Sequence, residues 1–257
     1  MIRALYTASS GMAAQQSNMD VISNNIANVN TNGYKKVRAG FKDMLYHQVN
    51  RPDPGVPVNL QVGSGVLMDS TLRSFEMGNI EHTGQPLDLA IDGDGFFVVA
   101  NEAGEIQYTR DGSFRVSVDQ QQNRWLVTSD GCYVLNAQLQ PILLYGDAQD
   151  IRVDSLGNIF YNDGQNDIFV DSLALVRFPN PNGLEAVGSN NYVQTEASGA
   201  PTVDGVGDVW QYYLERSNVQ VFEEMTKLIQ AQRVYQLNSR TLQAADEMVA
   251  LANNLRR

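Results

Sequence analysis

Residues 5–33 read LYTASSGMAAQQSNMDVISNNIANVNTNG, and their spacing decides the first element of the fold. Leu5, Ala8, Met12, Gln15, Met19, Ile22, Ile26 and Val29 recur at alternating steps of three and four. That is the seven-residue seam of a helix that pairs with another helix, with one polar position at Gln15. The stretch holds no proline and is rich in Ala, Met and Gln, residues that lose little freedom on becoming helical. Asn30-Thr31-Asn32-Gly33 breaks the pattern, and Gly33 suits the left-handed backbone that follows a helix. The spacing predicts an N-terminal amphipathic helix over 1–33.

The far end repeats the theme. Val221, Leu228, Tyr235, Leu242 and Val249 stand seven apart, and Glu224, Ala231, Asn238, Ala245 and Ala252 follow each by three. Small residues dominate the second column, so a partner backbone can approach closely there. Ser217 with Gln220 fits a capping box, in which side chains satisfy the first free amides of a helix. A second long helix is predicted within 211–257.

Between the helices the period changes to two. Leu87, Leu89 and Ile91 alternate with other residues, as do Phe114, Val116 and Val118, and then Trp125 and Val127. Asp94-Gly95, Asp111-Gly112, Asp130-Gly131 and Asp163-Gly164 supply turns between such runs. Short strands at this cadence predict an all-β domain over 86–210, with further strands around Ile151–Val153, Ile168–Val170 and Leu173–Val176. Ser198 to Gly207 reads as a linker back to the C-terminal helix. Residues 34–85 read as an extended arm, because the prolines of Arg51-Pro52-Asp53-Pro54-Gly55-Val56-Pro57 exclude helix there. The expected class is α+β, with two terminal helices packing as a coiled-coil-like pair around an inserted all-β domain.

The 257 residues carry a net charge of −11, and 37–214 alone hold −14. A middle this acidic opposes binding to nucleic acid or to an anionic membrane. No apolar run approaches the roughly 18 residues of a spanning helix, so no direct membrane insertion is expected. No cleaved secretory signal is visible after Met1-Ile2-Arg3. The single cysteine, Cys132, excludes an intrachain disulfide and a thiolate metal cluster. It follows the Asp130-Gly131 turn into a strand, the setting of a half-buried structural thiol rather than of a dyad with His47 or His82.

Other motifs yield no chemistry. Asp92-Gly93-Asp94-Gly95 runs straight into Phe96-Phe97-Val98-Val99, so it is a tight turn before a strand and not a calcium loop. Gly63-Ser64-Gly65 lacks the third glycine and the helix of a dinucleotide fingerprint. Arg110 suits a carboxylate or turn-carbonyl partner better than a substrate. No catalytic residue, metal site or cofactor is expected.

Two heptad stripes at opposite ends of one chain have a physical consequence. Each leaves on the order of 10 kcal/mol of burial unrealised when exposed. Periodicity alone is equally compatible with a simple antiparallel pair docked on a β domain and with helices that also pack on copies of themselves, giving a ring or filament.

The residues themselves resemble a known family, the axial (rod and hook) proteins of the bacterial flagellum. Asp20 to Lys35 (DVISNNIANVNTNGYK) is similar to the family's N-terminal signature, notably at Asn24, Asn25, Ala27, Asn28, Val29, Thr31, Gly33, Tyr34 and Lys35. Ser217-Asn218-Val219, Glu223-Glu224-Met225 and Gln232-Arg233-Val234-Tyr235 with Asn238 resemble its closing motif. Ile91 to Val98, Tyr108 to Phe114 and Gly183-Leu184-Glu185 match between them. Asp43 to Gln48, Pro54-Gly55 and Leu60 to Val66 resemble the arm of a distal rod subunit.

The resemblance implies a non-enzymatic subunit of the distal rod, polymerising helically into a hollow shaft that transmits torque to the hook. The alternatives are another rod or hook axial protein, a secreted β-rich adhesin or binding module, and a secreted enzyme on a β scaffold. It implies assembly through Leu5, Met12, Met19, Ile22, Ile26, Val29, Val221, Leu228, Tyr235, Leu242 and Val249, with the helices forming an inner tube. The implied partners are further copies of the chain, other rod and hook subunits and the flagellar type III export apparatus. The implied location is the basal body, within the cell envelope.

Overall fold

Pairing of the two ends of the chain organises the computed structural model, which describes residues 2–48, 61–119, 121–145, 150–162, 166–203 and 207–254. The prolines and Leu60 of the arm, the Asp163-Gly164 turn, residues 204–206 of the expected linker and the Ala252 side chain lie outside the described residues. The chain divides into two compact units. A helical unit comprises Met1–Ala27, Val37–Arg73 and Gln220–Arg257, and a β unit comprises Asn28–Lys36 and Ser74–Val219.

In the helical unit, α1 spans Ile2–Ala27 and α2 spans Val221–Asn254. Between them run β1 (Val37–Asp43), β2 (Tyr46–Gln48), β3 (Gln61–Gly63) and β4 (Val66–Arg73). β1 pairs antiparallel with β4, from Val37 opposite Arg73 to Asp43 opposite Val66, with a bulge at Gly40/Phe41. β2 pairs with β3 beyond it. The described residues of this stretch thus form two paired ladders, β1 with β4 and β2 with β3.

In the β unit, β5 (Ile80–His82), β6 (Leu89–Asp92), β7 (Phe96–Ala100), β8 (Ile106–Thr109), β9 (Arg115–Val118) and β10 (Arg124–Val127) come first. β11 (Tyr133–Val134), β12 (Leu143–Leu144), β13 (Ile151–Val153), β14 (Asn158–Asn162) and β15 (Asp167–Ser172) follow. β16 (Leu175–Val176), β17 (Glu185–Gly188), β18 (Asn191–Val193), β19 (Asp208–Gln211) and β20 (Tyr213–Glu215) complete it. The main sheet runs β12-β10-β11-β7-β8-β18-β17, with β16 on β7 and β9 on β10. A three-stranded sheet, β13-β14-β15, and the pairs β19–β6 and β20–β5 surround it.

β7 is buried along its whole length and divides the core. Phe97 and Val99 join Leu89, Leu126, Val134 and Ile142 on one face. Phe96, Val98 and Ala100 join Tyr108, Phe178 and Tyr192 on the other. Covering both faces is why this strand reads as an unbroken apolar run while its neighbours alternate.

Three boundaries differ from the sequence reading. α1 stops at Ala27, six residues short of Gly33. Asn and Thr between them turn the chain instead: Thr31 N–H donates to Asn28 O (3.2 Å) and Thr31 Oγ1 to Asn28 Oδ1 (3.2 Å). Gly33 is left-handed as expected (φ +66°), but it closes this turn rather than the helix. α2 opens at Val221, and no capping box forms. Ser217 Oγ accepts from Val219 N–H (3.3 Å) ahead of the helix; Gln211 ends β19 against β6, Tyr212 turns, and Tyr213–Glu215 pair with β5. The stretch from Ser198 is pinned and not a free linker. Ser198 is fully buried, Thr202 exchanges both backbone bonds with Arg177 (2.7 and 2.8 Å), and the chain continues into β19.

Candidate functional site

α1 and α2 pack against each other in the helical unit. Gly11 faces Asn238 so closely that a Cβ on it would come within 2.8 Å of Asn238 Nδ2. Fourteen residues further along α1, Asn25 Nδ2–H donates to Glu224 Oε2 at 3.1 Å. These two pairs keep one antiparallel register. The same side chain donates to Val37 O (2.8 Å) and accepts from Val37 N–H (3.0 Å), which ties β1 to the end of α1.

Ala8, Ala14, Ile22, Ala231 and Ala245 are buried, while Leu5, Met12, Met19, Ile26, Val221, Leu228, Tyr235 and Leu242 are half-buried. Val249 is exposed, because the register carries it past the start of α1. Val29, at the end of the seam, belongs to the β unit.

α2 also carries exposed apolar residues that the seven-residue pattern leaves out, on a side they share with the exposed Arg233, Arg240 and Glu247. Phe222, Met225, Ile229, Leu237, Met248 and Leu251 are each at least half exposed, Phe222 at 88%. At 3.6 residues per turn they fall within an arc of roughly 140°, on the side of the helix opposite Glu224, Ala231 and Ala245. Phe222, Met225 and Ile229 follow steps of three and four, while Leu237 and Met248 stand at wider spacing, so the set carries no continuous signal.

The signature residues divide between the units. Asn25 is buried in the helical unit, and Asn24 and Ala27 are exposed there. Asn28 and Thr31 are half-buried in the β unit, and Gly33, Tyr34 and Lys35 are buried. A Cβ on Gly33 would meet Asp111 N at 2.7 Å and the Arg110 carbonyl carbon at 2.8 Å, which is why no side chain fits.

Lys35, Glu215 and Arg110 form a buried set that sequence reading did not find. Lys35 Nζ donates to Glu215 Oε1 (2.6 Å) and Glu76 O (2.9 Å), and Arg110 donates to Glu215 Oε2 (3.3 Å) and Gly93 O (2.6 Å). Gly78 N–H adds a further bond to Glu215 Oε1 at 2.7 Å. Burial pulls both cations below their ordinary pKa values, and the Glu215 carboxylate opposes that shift. The Arg110 guanidinium also lies 5.2 Å from the Phe96 ring centre, over its face. Arg110 thus has the carboxylate and turn-carbonyl partners expected of it. Residues 35 and 215 are 180 apart, beyond the reach of any local pattern.

Cys132 is a buried free thiol. A groove of about 610 Å³ on the β unit is lined in part by Asp88, whose carboxylate accepts a hydrogen bond from Thr83 Oγ1 at 2.6 Å. Among the described residues no group of three metal-ligating side chains converges, and no helix is long and apolar enough to cross a membrane.

Three family models match the chain. Residues 5–35 match the model described as flagella basal body rod protein, and 90–161 match the flagellar hook protein FlgE/F/G D1 domain. Residues 211–255 match the flagellar basal body rod FlgEFG protein C-terminal model. Full-length similarity extends to proteins named flagellar basal-body rod protein FlgG. That of Borreliella burgdorferi is 41% identical, with 100% of each chain covered. That of Caulobacter vibrioides is 43% identical, covering 99% of this chain and 100% of the relative. That of Bacillus subtilis is 36% identical, with 100% of each covered.

Proposed function

Because the chain belongs to the family of the flagellar basal-body rod protein FlgG and is a structural subunit of the bacterial flagellar rod, we propose that it builds the distal segment of that rod as a helical homopolymer. The helical unit forms an inner tube, with α1 and α2 as a coiled-coil-like pair. The seam from Leu5 to Ile26 and from Val221 to Leu242 holds the pair, and the exposed apolar residues of α2 meet the next copy. The β unit forms an outer layer, and the arm reaches neighbouring subunits. The hollow polymer transmits torque to the hook and catalyses nothing. The chain arrives unfolded through the flagellar export apparatus, and its other partners are rod and hook subunits.

The observation that carries this reading is the group of six large apolar side chains that α2 leaves exposed on the side away from Glu224, Ala231 and Ala245. A helix with a single partner is polar on its far side. Covering six side chains that are now at least half exposed would contribute on the order of 5–10 kcal/mol per copy, before the cost of association. This group on one copy differs from the surface it must meet on the next, so the contact is heterologous and propagates.

Electron microscopy of the purified protein at high concentration tests the reading, with straight hollow rods as the expected product. A strain lacking the gene that still swims would overturn it.

A further inference from the structure

The chain passes between its two units four times, after residues 27, 36, 73 and 219. Within the β unit, the segments that lead to these crossings are bonded to one another. Lys36 N–H donates to Asn218 Oδ1 (2.8 Å), and Ser74 N–H donates to Lys36 O (2.8 Å). Asn218 Nδ2–H donates to Ser74 O and to Glu76 O, both at 3.0 Å. Gly33 N–H donates to Glu215 O (2.8 Å), and Arg216 N–H to Asn79 O (2.8 Å). The Arg216 guanidinium donates to Asn32 Oδ1 (3.2 Å). At the centre, the Glu215 carboxylate takes Lys35 from the first segment, Gly78 N–H from the second, and Arg110 from the end of β8.

We propose that Glu215, with Lys35, Arg110 and Asn218, forms a root clamp in the β unit that makes the segments leading to all four crossings move as one body. A load entering along any one of them is then shared by the others and by the main sheet through Arg110. The inference rests on the reading of the protein as a torque-transmitting rod subunit. Apolar residues would stabilise such a knot as well as ions do, but they leave it free to slide. Ion pairs and bidentate amides fix distance and direction, which is what a joint under twist requires.

Amide hydrogen exchange on the full chain, with and without Lys35→Met, tests the clamp. Methionine keeps the volume and leaves Arg110 and Glu215 charge-balanced. The amides of Gly33, Lys36, Ser74, Gly78 and Arg216 are expected to lose protection together, by roughly 10- to 100-fold, while those of β7 and β8 keep theirs. Cells carrying the variant, with rods assembled at normal abundance, are expected to slow disproportionately as the medium is made viscous.

Separate, unequal responses of the five amides overturn the clamp, as does normal swimming under load despite their loosening. If Lys35→Met does not fold, Asn218→Ala, which lies outside the ion set, must loosen the same five amides, and failure to do so also overturns it. A gene deletion that leaves swimming intact overturns the rod reading instead, and the exchange result is independent of that outcome.

Discussion

Asn25 and Glu224, 199 residues apart, meet as an almost wholly buried hydrogen-bonded pair inside the helical unit. One side chain comes from the N-terminal signature and the other from the small-residue column of α2. A polar pair in an apolar seam is satisfied in one register only, since any slip strands an amide or a carboxylate in the core. Most of the remaining seam positions are apolar and carry no such demand for a single register. The pair therefore sets the alignment that leaves Val249 and Leu251 beyond the start of α1.

Asn25→Asp tests this alignment. A second carboxylate against Glu224 loses the donor to both Glu224 and Val37 O, and Lys227, 3.1 Å from Glu224 Oε1, offsets only part of the repulsion. The expected loss is about 3–5 kcal/mol of helical-unit stability at neutral pH. The loss shrinks in acid, where the two carboxyls can share a proton. Urea unfolding followed by far-UV circular dichroism at several pH values reads it; a loss that does not change with pH counts against the pairing.

Local pattern exposed what local physics controls. The seven-residue spacing marked both helices, and Asp-Gly pairs marked turns such as that at Gly131. The α+β class followed from the change of period between them. Helix ends were missed because Asn28 to Asn32 and Ser217 to Gln220 bond within themselves, and such competition is decided by tertiary neighbours. The Lys35–Glu215 pair was invisible because its partners share no segment. The exposed apolar residues of α2 were hidden for a different reason. They are apolar like those of the seam, and only the side that α1 covers tells them apart.

Gly33 and Gly131 separate backbone strain from collision. Both are left-handed, at φ +66° and +86°, but nothing lies within 4 Å of the Cβ position at Gly131. Gly131→Ala is expected to cost about 1–2 kcal/mol, the penalty of the conformation alone. Gly33→Ala adds contact with the Arg110–Asp111 backbone and is expected to cost at least about 3 kcal/mol. Comparable denaturation midpoints for the two variants would contradict the packing at Gly33.

Asp111 gives the β unit a pH dependence of defined sign. Burial raises its carboxyl above the ordinary value of 3.8, although Ser113 N–H bonds to it at 3.0 Å. The folded state then holds the proton more tightly than the unfolded chain. Its contribution is fully present below pH 3.8 and is lost as pH rises through the folded value. Asp111→Asn, which keeps the acceptor, is expected to stabilise the β unit by on the order of 1 kcal/mol at pH 7. The gain should vanish at acid pH, as read by urea midpoints across a pH series; a gain that persists in acid would have another cause.

Substitutions on the two faces of α2 distinguish pairing from assembly. Leu242→Asp on α2 and Ile26→Asp on α1 place a charge in a half-buried seam, so both are expected to weaken the helix pair by about 2–4 kcal/mol and to abolish polymerisation with the β unit still folded. Leu237→Glu and Met248→Glu replace exposed apolar residues, at 60% and 52% exposure, where a charge meets water in the free chain. Their unfolding midpoints and circular dichroism are expected to stay within about 0.5 kcal/mol of wild type. Polymerisation should nevertheless fail, because each charge is desolvated only when the next copy covers it. Rods that form normally from the Leu237→Glu, Met248→Glu double variant would show that these residues are not the contact between copies.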